Sequence, residues 1–449
     1  MNLASFFSFL HRSGLAPFLV RHYPAVRKII LENVHYNTEW IMNQTSALDM
    51  LTDSLMQRPM PDGKKMGLGF MEASSLELSA TFKRIFGYDH VIPLAQGRLG
   101  EMLFARVFAK PGTICINNGL FTTTRYHMEM NDVRLVEIPV ADAAVPESDF
   151  PFKGNLDLEK FKLALRQHQI TPISFVLLET CANAYGGHPI SMENLKSVYS
   201  LAKEYHVPLY LDACRIFENA VLIREREPGY GERSIPDLVR EMCSYSDGAT
   251  LSATKDFPVD TGAFIGINRE DWFLKLQEAA FLFGDGLSVR SKAMLNEALK
   301  TSFKPAYITE RVEQSKKLWY KLKTAGVPLV HPYTGFGVFI DTRELFTIFS
   351  EKHYPQKAFL AELFAQSGIL ACENMLTKIQ QEARLAMVRL AIPCTGISKQ
   401  QLDYCAKHVT LLWRRRATLP LLKKISVSNS KAEEFLAHYA ILNPDDPQV

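Results

Sequence analysis

Four short stretches hold residue types that can do chemistry together. In DGATLSATKDF, residues 247–257, Lys255 follows Ser252 by three positions and runs into the compact apolar stretch TGAFIGI. An amine on a loop entering a buried strand can be desolvated, and burial lowers a lysine pKa toward nucleophilic use. The same loop can equally be a solvated turn. In PLYLDACR, Asp212 closes an apolar run and Arg215 comes three residues later. A carboxylate at the end of a buried strand must be paired, because burying it alone is costly, and a capping role would also satisfy it. QGRLGE, residues 96–101, lies where an apolar run gives way to a helical pattern, so Gly97 and the first helical amides suit a phosphate. It is neither a dinucleotide glycine fingerprint nor a nucleotide-binding glycine-lysine loop. FTTTRYH, residues 121–127, sets Phe121 before three threonines that either continue a strand or line a stacked ring with hydroxyls.

Short alternating elements must position these groups. The spacing of apolar residues predicts a helix over 74–87, then a strand in HVIPL, a helix in GEMLFARVFAKPG and a strand in TICINNG. ISFVLLET and VPLYLDAC are near-continuous apolar runs, as buried parallel strands are, with the amphipathic NLKSVYSLAKEYHV between them. GAFIGINR reads as a strand of the same type. Strands and helices alternating over short connections predict a doubly wound α/β sheet, with Gln96, Asn183, Asp212 and Lys255 at strand ends where such sheets bind ligands. From about residue 310 a long helix leads into GFGVFIDTR and ARLAMVRLAIP, which predicts a separate α+β unit. The expected division is an arm over 1–50, a large domain over 51–309 and a small domain over 310–449.

The four stretches fit one cofactor. Pyridoxal phosphate needs a lysine for its Schiff base, an acid against the pyridine nitrogen, a phosphate cradle and a group that fixes the ring. The acid keeps the nitrogen protonated, so electrons from a Cα carbanion can flow into the ring.

Composition narrows the alternatives. The 449 residues carry 51 basic and 48 acidic side chains and are 47% hydrophobic, enough for a large core and without the charge excess of a nucleic-acid partner. The basic knot WRRRATLPLLKK is short and lacks interleaved aromatic residues. Seven scattered cysteines without a CxxC pair read as free thiols of a reducing compartment, and no metal is expected. The opening apolar runs are broken by His11, Arg12 and Ser13, too short to span a membrane, so a cytoplasmic protein is expected.

The sequence resembles the β-eliminating lyases that include tryptophanase and tyrosine phenol-lyase, from about residue 37 to about residue 393. The resemblance rests on TSALDMLTDS, QGRLGE, KPG, FTTTRYH, CANAYGGHPISM, LDACRIFENA, EMCSYSDGATLSATKD and VRLAIP. It implies the aspartate-aminotransferase-like fold, pyridoxal phosphate fold type I: a large domain with a mainly parallel sheet and a smaller α+β C-terminal domain. It implies Lys255 as the Schiff-base amine that also moves the Cα proton, and Asp212 at the pyridine nitrogen. Arg215 and Asn183 would face the ring oxygen, Phe121 would stack on the ring, and Gln96, Gly97 and Ser252 would hold the phosphate. Arg389 would grip the substrate carboxylate, matching it as a fork. Arg98 would lie close to the site, and Thr122 and Asn374 would line the substrate side. Sites in this family lie between subunits, so a homodimer or homotetramer is implied.

Departures from the family pattern fall on the groups that handle the leaving side chain. Phe70 is the nearest aromatic where the family has a proton-donating tyrosine, and Thr254 replaces a second lysine. Asn374 stands in place of a phenol-recognising arginine, the cation-binding glutamate is out of register, and the segment 283–294 is short. The expected activity is β-elimination from an aromatic or β-substituted L-amino acid. Transamination, γ-elimination, an oxygen-dependent step and a non-catalytic scaffold are the alternatives.

Overall fold

The computed structural model describes residues 68–168, 170–284, 287–302, 305–373, 385–394, 396–425 and 437–442. The expected N-terminal arm and Asn374 lie outside the described residues. The large sheet is built from β1 (His90–Leu94), β2 (Ile114–Asn117), β3 (Arg134–Glu137), β4 (Ile173–Glu179), β7 (Leu209–Asp212), β8 (Gly248–Ser252) and β9 (Ala263–Ile267), and a small hairpin of β5 (Cys181–Ala182) and β6 (His188–Pro189) follows β4. Its strand order is β1-β9-β8-β7-β4-β2-β3.

From β8 to β3 every pairing is parallel, as the continuous apolar runs predict. β9 is the exception. It runs antiparallel to both β1 and β8, which corrects its reading as a strand of the same type as its neighbours. Both of its faces are covered, so its apolar sequence carries no mark of direction.

Successive side chains enter opposite layers. In β4, Val176 and Leu178 join one core while Phe175 and Leu177 join another, and in β7 Leu209 and Leu211 oppose Tyr210. Helices close both layers. Gly97–Phe108 and Glu270–Phe283 cover one face, and Met192–Glu204, Ile216–Arg226 and Ile235–Ser244 cover the other. The first described helix spans Leu68–Phe86, beginning six residues before the predicted start. The threonine run, open in sequence between strand and stacking site, forms the first turn of the helix Thr122–Met130.

The C-terminal part has its own core. Strands β10 (Gly337–Asp341), β11 (Cys372–Glu373) and β12 (Met387–Ala391) form an antiparallel sheet in the order β10-β12-β11. Phe359, Leu363, Val409 and Trp413 pack on it from the helices Pro355–Ser367 and Lys399–Arg414, the second opened by a Ser398–Gln401 capping box. A two-stranded ribbon of β13 (Leu422–Lys424) and β14 (Tyr439–Ile441) completes this part.

The helix Pro305–Thr324 serves both parts, giving Ile308 and Val312 to the large core and Leu318, Trp319 and Leu322 to the smaller one. At the junction, a Cβ on Gly335 would sit 2.5 Å from Cβ of Glu218, so only glycine permits this approach. Among the described residues, no helix is long and apolar enough to cross a membrane.

Candidate active site

The carboxyl ends of three adjacent strands assemble the polar groups. Counting along β7 from Tyr210 puts Asp212 on the face covered by Gly97–Phe108, and the same count puts Glu179 of β4 and Ser252 of β8 there. Glu179 and Asp212 are register partners, and Asp212 is also paired with Thr250. Glu179, Asp212 and Ser252 are buried. Asp212 Oδ1 accepts the Cys214 amide at 3.0 Å, which fixes the carboxyl at the strand end.

Lys255 lies one turn beyond β8, on the short helical segment Ala253–Asp256, and is half-buried. Its Nζ stands 5.2 Å from the centre of the Phe121 ring. Burial opposes the charge on this amine, but Cys214, Asp212 and Glu101 outweigh it and hold the lysine above its ordinary range. The Cys214 thiol is itself pushed up by burial and by Asp212, so near neutral pH the field on the ammonium comes from carboxylates. The expectation that burial would lower the Lys255 pKa is therefore corrected: the neighbouring thiol and carboxyls outweigh burial and raise it.

The helix Gly97–Phe108 opens at the same place. Gln96 is its extended N-cap residue, and its side chain makes no capping hydrogen bond. A Cβ on Gly97 would meet Ser252 Cβ at 2.8 Å and Oγ at 3.2 Å. Glycine thus lets the helix N-terminus and the Ser252 hydroxyl converge, a donor set suited to a phosphate. Ser252 Oγ lies 3.3 Å from Thr254 Oγ1, so Thr254 extends this hydroxyl cluster.

Phe121 is the N-cap residue of Thr122–Met130, with Thr122 buried beside it. Thr123 donates to Glu101 Oε2 at 2.6 Å. Burial, then Asp212, pushes the Glu101 carboxyl up, and the same two causes push up Glu179 more strongly. Arg98, half-buried, faces His127, whose imidazole is lowered by burial and by that guanidinium.

The C-terminal part contributes Arg389 from β12. Its Nη1 donates to Asn183 Oδ1 at 2.5 Å, while its buried Nε has no partner among the described residues. The Asn183 backbone N–H in turn donates to Glu179 Oε1 at 3.2 Å. Arg215 adopts a left-handed backbone, φ 71°, and turns Nη1 to the Lys255 carbonyl at 2.8 Å, with its guanidinium over Phe336.

Lys255, Asp212, Phe121, Ser252, Gly97, Asn183 and Arg389 thus come from distant segments to one place. The residues fit pyridoxal phosphate: an amine over an aromatic ring, a buried acid at a strand end, a glycine-opened helix N-terminus and an unmatched guanidinium edge. Sequence reasoning missed Glu101, Glu179, Glu218, Asp256 and Arg311. Glu101, Glu179, Glu218 and Asp256 lay inside the quoted stretches, whereas Arg311 had no local signal in an ordinary charged helix.

Comparisons with known proteins agree with this geometry. Residues 70–403 match the family described as Beta-eliminating lyase. A tyrosine phenol-lyase of Clostridium tetani is 33% identical over 416 residues, spanning 88% of this chain and 90% of the relative. One from Fusobacterium nucleatum is 32% identical over 420 residues, with 89% and 91% covered. Among solved structures, a serine palmitoyltransferase from S. paucimobilis aligns with a TM-score of 0.56 at 13% identity, covering 77% of this chain and 78% of that one. A putative L-allo-threonine aldolase from Listeria monocytogenes aligns at 0.54 and 16%, covering 80% and 91%. These structures share the fold. The chain belongs to the β-eliminating lyase family, enzymes of pyridoxal-phosphate fold type I that work at the Cα of amino acids.

Proposed function

We propose that the protein is a pyridoxal-phosphate-dependent lyase that takes the α-proton from an L-amino acid and expels a substituent from its β-carbon. The observation that carries this reading is the Arg389–Asn183 hydrogen bond, which holds a guanidinium suited to a carboxylate beside the segment that follows β4. The tyrosine phenol-lyases among the relatives support elimination as the reaction class.

When bound, pyridoxal phosphate supplies the electron sink that makes an α-proton acidic. The protein supplies the rest. Asp212 would keep the ring nitrogen protonated, Phe121 would cover the ring, and Asn183 and Arg215 would serve the ring oxygen. Gln96, Gly97 and Ser252 would hold the phosphate, and Arg389 would take the substrate carboxylate as a fork. Lys255 Nζ would accept the α-proton, with Arg98 and Thr122 bordering the substrate. The α-proton and the β-substituent leave as HX, and water converts the remaining enamine to a keto acid and ammonia.

The leaving group we favour is one that departs without a proton donor, such as the thiolate of an S-substituted cysteine. Phe70 cannot donate a proton, and a lost general acid costs roughly 10²–10⁴-fold for a phenol or indole. We propose, as the family resemblance implies, that the working form is a homodimer or homotetramer, measurable by sedimentation. The test of function is product analysis with S-substituted cysteines, tyrosine and tryptophan. Keto acid and ammonia should appear without any amino acceptor. Turnover only when a keto acid is added would overturn the lyase reading.

A further inference from the structure

Behind the Lys255 carbonyl lies a charged cluster of which the chemistry above uses only Arg215. Its members are Glu218 (1% exposed), Arg311 (3%), Asp256 (5%) and Arg215 (5%). Arg215 Nη1 and Arg311 Nη1 both donate to the Lys255 carbonyl, at 2.8 and 3.0 Å. Arg311 Nη1 is also 2.6 Å from Glu218 Oε1, and its Nε donates to the Ile392 carbonyl at 3.1 Å. The Arg215 amide donates to Asp256 Oδ2 at 3.2 Å. Glu218 thus has one oxygen engaged by the Arg311 guanidinium, and Asp256 has one engaged by the Arg215 backbone N–H.

The other two oxygens, Glu218 Oε2 and Asp256 Oδ1, are buried and meet no donor among the described residues. Burial pushes both carboxyls up, and the neighbouring Asp256 pushes Glu218 up further, so one proton held on Glu218 would relieve the two unpartnered oxygens. Two carboxyl oxygens can hydrogen-bond only through a proton that one of them carries. Arg215, Arg311, Lys255 and the thiols of Cys181 and Cys214 are the titratable groups that face the pair.

We propose that Glu218 and Asp256 share one proton, carried on Glu218, and that this pair, clamped by Arg215 and Arg311, is the positioning device that fixes Lys255. Through Ile392, three residues past Arg389, the same clamp sets the carboxylate-binding strand relative to the reactive amine. Glu218, Asp256 and Arg311 are positioning residues, since none has to touch substrate or cofactor. The inference rests on the reading of Lys255 as the cofactor lysine only for its effect on cofactor binding.

Glu218→Gln and Glu218→Ala separate the pair from simple packing. A glutamine can accept from Arg311 and donate to Asp256, as the protonated acid does. The infrared spectrum of cofactor-free protein at neutral pH should show a protonated-carboxyl C=O band in wild type minus Glu218→Gln. Contributions from Glu101 and Glu179, also pushed up, subtract out. Glu218→Gln should bind pyridoxal phosphate as wild type does, whereas Glu218→Ala should weaken it by roughly tenfold or more by stranding Asp256 and Arg311. No difference band, or a glutamine variant as impaired as the alanine one, would overturn the proposal. Because the infrared measurement needs no cofactor, a wild type that bound no pyridoxal phosphate would defeat the lyase reading and leave the proton pair standing.

Discussion

The Arg389 guanidinium donates to Asn183 Oδ1 at 2.5 Å across 206 residues of sequence. Only folding of the C-terminal sheet against the end of β4 makes that contact. It leaves the Nε edge unmatched, the shape that an amino-acid carboxylate completes. Replacing Arg389 with alanine should lower kcat/KM by about 10- to 100-fold, the loss of a charge-assisted hydrogen bond, mainly through KM. The visible absorbance of bound cofactor should stay as in wild type. Steady-state kinetics alongside that spectrum checks both.

The glycine at the helix start gives a second expectation. In Gly97→Ala the new methyl meets Ser252 Cβ at 2.8 Å, and a short side chain fixed at a strand end yields little. Overpacking of this kind costs roughly 1–3 kcal/mol. Affinity for pyridoxal phosphate should fall by ~10- to 100-fold. Affinity for pyridoxal, which has no phosphate to seat, should change far less. Equilibrium titration with both ligands makes the comparison.

The charge on Lys255 predicts the pH dependence of cofactor uptake. Only the neutral amine attacks an aldehyde, and the amine is held above its ordinary range although burial pulls the other way. Covalent uptake by cofactor-free protein should therefore quicken as pH rises, by about tenfold per unit while the amine stays mostly protonated. Asp212→Asn removes an anion that favours the ammonium, so its rate profile should move to lower pH. Stopped-flow absorbance over a pH series gives both profiles.

Stability should also record the buried acids. Burial, then contact with Asp256, pushes Glu218 up to about 8, and burial pushes Asp256 to about 6 despite Arg215. A carboxyl raised on folding binds its proton more tightly in the folded state. Its stabilising effect is complete below the unfolded carboxyl range and is lost as pH rises through the folded value. Tm of cofactor-free protein should decline from about pH 4.5 to about pH 8, and Glu218→Gln should make that decline shallower. Glu179→Gln should do the same, since burial and Asp212 raise Glu179 as well. Calorimetry across this range tests each variant.

Much of this was legible in the sequence because strand ends announce themselves. Asp212 closes an unbroken apolar run, and Gly97 sits where strand gives way to helix. The direction of β9 was not legible, because a strand covered on both faces looks alike in either orientation. The threonine run was ambiguous, since β-branched residues favour strands yet serve in the first turn of Thr122–Met130. Arg311 was invisible for a different reason. On its helix it is one charge among many, and only tertiary packing brings it to the Lys255 carbonyl. The charge state of Lys255 likewise depends on Asp212 and Glu101, which come from other segments.

The most direct test of the account is borohydride reduction of protein loaded with pyridoxal phosphate, followed by peptide mass spectrometry. The account predicts a pyridoxyl group on the peptide containing Lys255, and its absence from a Lys255→Ala variant treated in the same way. An unmodified Lys255 peptide, or a label concentrated on another lysine, would contradict it.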